Sequence, residues 1–544
     1  MKTDLLTHAE KTEYRETSLH AHVLEFLDEL SRKTNLVRVG SMGRSGEGAD
    51  MAIAIASDRE CFTPEAARAQ RKTIVMIQAN IHAGEVEGKE SLLALLRDLT
   101  LEKSGRKILS KICLVAIPDL NPDGNDRISP ENRKLNLQHL EGQKNPEGGV
   151  GTRNSGQGWN LNRDYVKQDS PEIKNLAALF QEWWPHVFVD CHTSDGSLTA
   201  FDMTYDTAHS NQTLFRKLQR PTRKMLEAIG RRIEREHGYR SYWYGNFARE
   251  DQPASGWHTY PALPRFGSHY RGLQGRIDVL LETYSYLDFK TRCEVIHAWL
   301  GELVRYSAKH GRKIQRVVDA EEERIKERGR ALDPRLLVGV NYGVAGRDDK
   351  GNLVFTYPAH ALGDEARVVS WDEESVRARR YPGNEIVTYE GPHKRWFVPT
   401  YAVSTPLAYL VPGLLAERLR QHGIEFEKLD APRTFDTESY VVLSSEKTFS
   451  PDVATTPVPK GGTEIPLSQK PAPRRFETVL SVRAERRKLE IEAGTLLVKT
   501  AQRAGTLAVY LLEPHSDDGF ARWEVLEERI KVGELYPVHR IFSL

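Results

Sequence analysis

Thr73-Ile74-Val75-Met76-Ile77-Gln78-Ala79 is almost wholly apolar and stops just before His82-Ala83-Gly84-Glu85. About a hundred residues on, Val187-Phe188-Val189 repeats the pattern and ends in Asp190-Cys191-His192. A short apolar run bounded by loop residues reads as a strand buried on both faces, the texture of a parallel sheet. Each run delivers metal-ligand side chains to the point where its strand stops. Ligands of open α/β sheets collect at such carboxyl ends. Two imidazoles and a carboxylate are a ligand set for zinc with one position left open, which points to hydrolysis.

The pattern continues on either side. Short strands are expected at 37–40 and 51–55 around a Gly-rich turn, then at 112–117 and 277–281. Helical spacing of apolar residues predicts helices over 18–34, 90–99, 173–184 and 291–308. The alternation predicts an α/β layered fold with a largely parallel central sheet. Beyond a charged helical stretch at 320–328 the texture becomes β-rich. One helix is expected over 408–422, a Pro-rich linker over 450–473, and a strand pair at 495–500 and 507–512. The expected units are a catalytic domain at 15–315 and a β-rich region at 330–544, the latter in two parts if it divides near 450–473.

Composition narrows the class. In 544 residues the net charge is +1, with 28% charged and 39% hydrophobic residues. That is ordinary for a globular protein and argues against a nucleic-acid surface. No apolar stretch is long enough to span a bilayer. The first ten residues lack the apolar core of a signal peptide, so a cytoplasmic location is expected. The four cysteines are scattered, form no CxxC, and read as buried thiols.

His-x-x-Glu occurs three times, at His22/Glu25, His82/Glu85 and His422/Glu425. The first lies in an amphipathic helix and the third beside Gly423, and both read as solvated surface. Only His82/Glu85 sits between a buried strand and a helix. Hydrolysis also needs a general base close to the metal. Glu282, directly after Val279-Leu280-Leu281, is the candidate, because a carboxylate against a buried strand needs compensation. In the Gly/Asn-rich loop at 121–168, Asn162-Arg163 sets an amide beside a guanidinium, a pairing suited to a carboxylate. His515-Ser516-Asp517-Asp518 reads as an acidic turn.

Taken together, His82-Ala83-Gly84-Glu85, Asn121-Pro122-Asp123-Gly124, Asn162-Arg163, the Asp190–His192 strand end and Glu282 in Leu281-Glu282-Thr283-Tyr284 resemble the M14 family of zinc carboxypeptidases over about residues 15–310. The tail at 511–520 is similar to that of long bacterial members. The resemblance implies an eight-stranded mixed sheet and one zinc ion on His82, Glu85 and His192. It implies Glu282 as general base and proton shuttle, and Asn162 and Arg163 as the clamp on a peptide's free C-terminal carboxylate. It also implies an oxyanion-stabilising arginine, taken here as Arg133 with Arg127 and Arg153 as alternatives, and a capping tyrosine, taken as Tyr270 with Tyr260 as alternative. Asn160 stands where the family has an aspartate behind a zinc histidine, and Asp190 is positioned to compensate. The expected activity is hydrolysis of the last peptide bond by a zinc-activated water. The rival readings are an amidase of the same fold, acting on acyl-amino acids or peptidoglycan stem peptides, and an inactive zinc-binding interaction module.

Overall fold

Eight strands form one sheet: β1 (Val37–Arg44), β2 (Asp50–Ala56), β3 (Thr73–Gln78), β4 (Ile112–Ile117), β5 (Val187–Ser194), β6 (Met203–Asp206), β7 (Ser241–Trp243) and β8 (Ile277–Tyr284). Their order is β1-β2-β4-β3-β5-β8-β6-β7. The four central strands β4, β3, β5 and β8 run parallel, and β1, β2 and β6 add antiparallel pairings. The structure is a computed structural model that describes residues 5–58, 60–136, 139–212, 214–249, 255–344, 354–360, 386–395, 397–450 and 476–543.

The central strands are mostly apolar and almost wholly buried because helices cover both faces. Every residue of β3, β4 and β8 is buried. The main helices are α1 (His20–Lys33), α2 (Glu87–Leu101), α3 (Pro171–Trp183), α4 (Arg216–His237) and α5 (Phe289–Ala331). Ser170 caps α3 through its hydroxyl, which accepts from Ile173 N at 3.4 Å, and Pro171 pre-sets the first turn. Asp288 caps α5 by accepting from Thr291 N at 3.0 Å. Gly88 lets α2 enter close to the sheet, since a Cβ there would lie 2.7 Å from that of Cys191.

Helix α5 is much longer than the 291–308 expected. Its 43 residues absorb the charged stretch at 320–328 and fill the gap between the two expected units. Beyond it, strands Glu427–Lys428, Leu496–Lys499, Ala408–Val411, His539–Ile541, Arg433–Phe449 and Phe476–Ile491 form a six-stranded sheet in that spatial order. This region shares a core with the first: Ile74, Phe188 and Tyr270 belong to the same apolar cluster as Tyr409, Leu511 and Trp523.

Two expectations in this region are corrected. Residues 408–422 are not one helix: Ala408–Val411 is a strand, Pro412 ends it, and only Ala416–Gln421 is α-helical. The run at 507–512 is not a strand but part of the helix Gly505–Leu512, buried on all sides. The acidic segment is a turn, as expected, and it faces inward, with Asp518 fully buried and 3.0 Å from Arg265 Nε. Most of the Pro-rich stretch at 450–473 lies outside the described residues.

Candidate metal centre

The register of three parallel strands assembles the site. Gln78 of β3 pairs with Asp190 of β5, and His192 pairs with Glu282 of β8. After β3 the chain turns at Asn80, whose φ of 62° is left-handed. Asparagine tolerates that conformation. The Asn80 side chain is held by Asp119 at 2.7 Å. The turn throws His82 and Glu85 over the carboxyl end of the sheet, beside His192.

His82 Nδ1 lies 3.0 Å from Glu85 Oε1, and His192 Nδ1 lies 2.9 Å from Glu85 Oε2. Ligand atoms of these three buried residues all fall within 4.8 Å of one another, the one such group among the described residues. The outward nitrogens are backed by oxygen: His82 Nε2 lies 3.3 Å from Asn160 Oδ1, and His192 Nε2 lies 3.1 Å from Asp190 Oδ1. Burial, aided by Arg153, pushes His82 down to about 3, so it is neutral. With its proton towards Asn160, its Nδ1 lone pair faces a carboxylate oxygen. Acceptor against acceptor is repulsive unless a cation lies between, and neutral imidazole plus carboxylate suits zinc.

Burial works against charge on His192, but Asp190 beside it raises it well above the ordinary histidine value. A metal ion would take the place of that proton. Burial likewise works to raise Glu85, yet the Arg133 guanidinium and the hydrogen bond from His192 hold it well below the usual carboxylate range. Arg133 Nη1 and Arg153 Nη1 approach Glu85 Oε1 at 3.0 and 3.1 Å. Arg133 has a left-handed φ of 47° and is tied to Gln143 at 2.8 Å. Its side chain crosses the His82–Glu85 turn closely enough that a Cβ on Gly84 would lie 2.8 Å from its Cδ. Arg127 pairs instead with Glu47 at 2.6 Å.

Glu282 is 8% exposed. Burial pushes its carboxyl up to about 8; His192 pulls it down and Glu85 adds to the rise. A value near neutrality suits a group that must take up and release a proton. Asn162 Oδ1 accepts from Gly267 N at 3.2 Å, and the Arg163 guanidinium lies 4.2 Å from the Phe266 ring centre. Both are half-buried.

Two readings of single residues change. Tyr270 is 2% exposed and its hydroxyl is taken by His422 Nδ1 at 2.8 Å and by Gln168 at 3.1 Å, so it is a core group with no face for a substrate. His422, read as solvated, is that buried partner. Sequence reasoning missed Tyr244, which follows β7 and is half-exposed. Burial raises its hydroxyl, Glu282, Asp195 and Glu85 add to the rise, and Arg163 opposes it. Its position just past a strand of the same sheet was the available signal. Also missed was Glu87, fully buried and 3.2 Å from Arg292 Nε, which accepts from Thr193 Oγ1 at 2.5 Å and from Thr283 Oγ1. It ties the strands bearing His192 and Glu282 to α2.

The sequence profile of the zinc carboxypeptidase family, peptidase M14, matches residues 23–262. That span takes in His82, Glu85, Asn162, Arg163 and His192 and stops before Glu282. Carboxypeptidase 2 of Trichophyton rubrum is 23% identical over 498 residues, covering 87% of this chain and 77% of that protein. Carboxypeptidase 2 of Trichophyton tonsurans is 24% identical, covering 86% and 77%. Both similarities run beyond the eight-stranded sheet. Among solved structures, a metallo-carboxypeptidase from Burkholderia cenocepacia covers 54% of this chain and 70% of its own, with a TM-score of 0.40 and 17% identity.

Proposed function

Since the chain carries a zinc carboxypeptidase domain of the peptidase M14 family, and so is a zinc-dependent hydrolase of peptide bonds, we propose that it removes the C-terminal residue of peptides with a free carboxylate. The observation that carries this reading is the convergence of His82 Nδ1, His192 Nδ1 and Glu85 beside Glu282. His82, Glu85 and His192 would hold one zinc ion. Bound there, zinc supplies a Lewis acid that makes a water nucleophilic at neutral pH and offsets charge on the scissile oxygen.

Glu282 takes the proton of the attacking water and returns it to the leaving amine. Its near-neutral carboxyl lets it do both within one turnover. Arg133, with Arg153 beside it, stabilises the negative charge that develops on the carbonyl oxygen. Arg163 and Asn162 bind the terminal carboxylate, the guanidinium supplying a fork that a lysine lacks. That clamp makes the enzyme an exopeptidase: only a chain end presents a free α-carboxylate one residue from the scissile bond. Tyr244, which senses both Glu282 and Arg163, is placed to bound the substrate's end.

Mass spectrometry of matched peptides, free and C-terminally amidated, tests the reading with zinc-loaded protein. Loss of single C-terminal residues from the free acids alone is expected. Cleavage of acyl-amino acids but of no peptide would overturn it in favour of an amidase.

A further inference from the structure

The amino end of β8 carries a second concavity, away from the metal centre. It lies between α4 and α5, with a volume of about 470 Å³. Small-molecule sites fall at about 300–1,000 Å³. Ile277, in its floor, is five residues from Glu282, which along a strand is roughly 17 Å.

The lining is divided by chemistry. The floor is apolar, with Met225, Ile277 and Ile314 buried and Pro221 and Val317 half-buried. Tyr306 and His310 form one wall, their ring centres 4.3 Å apart. The rim holds five exposed cations: Arg216, Lys217, Arg220 and Lys224 of α4, and Lys313 of α5. Among the described residues no aspartate or glutamate lines the cavity. Among the described residues none of the five has an ion-pair partner. Elsewhere the same two helices do pair their cations, as Arg232 with Glu302 at 3.0 Å and Lys326 with Glu322 at 3.0 Å. Arg216, Arg220 and Lys224 recur at four-residue spacing, so like charges face one another along a single stripe, an arrangement that disfavours the helix unless an anion lies among them. The first turn of α4 supplies Arg216 and Lys217 to this rim and has no side-chain cap.

We propose that this cavity binds a phosphate monoester with an apolar body, its doubly charged head among the five cations and its body on the Met225–Ile277–Ile314 floor. A bare anion would leave the floor unfilled, and a neutral apolar molecule would leave the rim cations unmatched. The site is independent of the peptidase reading, since it shares no residue with the metal centre.

Isothermal titration of the full chain with decyl phosphate, kept below its micelle concentration, tests the proposal. The comparison ligands are inorganic phosphate, decyl glucoside, and vesicles of phosphatidylglycerol and phosphatidylcholine. One-to-one binding of decyl phosphate is expected, at least tenfold tighter than either half-ligand. Lys217→Glu/Lys313→Glu should weaken it at least tenfold through charge, and Val317→Trp should do so by filling the floor with the charges intact. Circular dichroism of the variants should be unchanged, because the three positions are exposed or half-buried. Binding that ignores Val317→Trp, that is equal for inorganic phosphate, or that appears only with vesicles would overturn the proposal. So would no binding at all.

Discussion

Asp190→Asn isolates the support behind the metal ligands. The two histidines are backed unequally. Behind His82 stands the neutral amide of Asn160 at 3.3 Å; behind His192 stands the buried carboxylate of Asp190 at 3.1 Å. Asp190 is also fixed by Gln78 at 2.8 Å and Arg271 at 3.3 Å. All the charge that raises ligand basicity therefore comes from one residue. Removing such a partner costs about 10–100-fold in metal affinity, or about 1.4–2.8 kcal/mol. The loss should stay local, because Arg271 keeps its second buried carboxylate, Asp278, and its 3.0 Å bond to Tyr165 OH. No buried cation is then orphaned, and the amide introduced by the substitution can still accept a hydrogen bond. Zinc competition against a chromophoric chelator of known affinity measures the effect directly. Asp190→Asn should lower affinity about 10–100-fold, Asn160→Ala by less, and Asn160→Asp should raise it. Affinity within twofold of the parent for Asp190→Asn, or a larger loss for Asn160→Ala, would refute the argument that Asp190 carries the charge.

Glu282→Gln should keep zinc, by metal analysis, while kcat falls about 10²–10⁴-fold, the usual share of a general acid-base group. Arg163→Ala should cost about 2 kcal/mol or more in kcat/KM on free-acid peptides, about 30-fold, and Arg163→Lys should not restore it, because an ammonium lacks the planar fork. Asp517 gives a stability prediction with a definite sign. Burial pushes its carboxyl up to about 7, with the Tyr510 hydrogen bond opposing. Folding therefore favours the protonated form, and the contribution is complete below the free aspartate value near 4 and lost as pH rises through about 7. Asp517→Asn should melt with the parent at pH 4 and above it at pH 8 in thermal scans; the reverse order would contradict the reasoning.

The catalytic half was legible because its central strands are buried on both faces and so read as unbroken apolar runs. The cluster able to hold a metal was legible because strand ends fix where side chains emerge. The second half misled for the same physical reason. Gly505–Leu512 is apolar all round, so it has no helical period to distinguish it from a strand. At 408–422, Tyr409 and Val411 favour a strand and Pro412 interrupts it, a local signal that the apolar spacing over fifteen residues concealed. Tyr270 and His422 were misplaced together: each is explained by the other, and the bond between them spans 152 residues. The inward face of the acidic turn was not visible either, because Asp518's partner Arg265 lies 253 residues away. Long-range pairing of this kind leaves no trace in local sequence.

The most direct test of the central claim is an anomalous difference map at the zinc edge from crystals grown with zinc. One peak is expected, about 2.0–2.2 Å from His82 Nδ1, His192 Nδ1 and Glu85, with Glu282 beside it but not bound. A peak coordinated through the Nε2 atoms, one that takes Glu282 as a ligand, or none at this position would contradict the account.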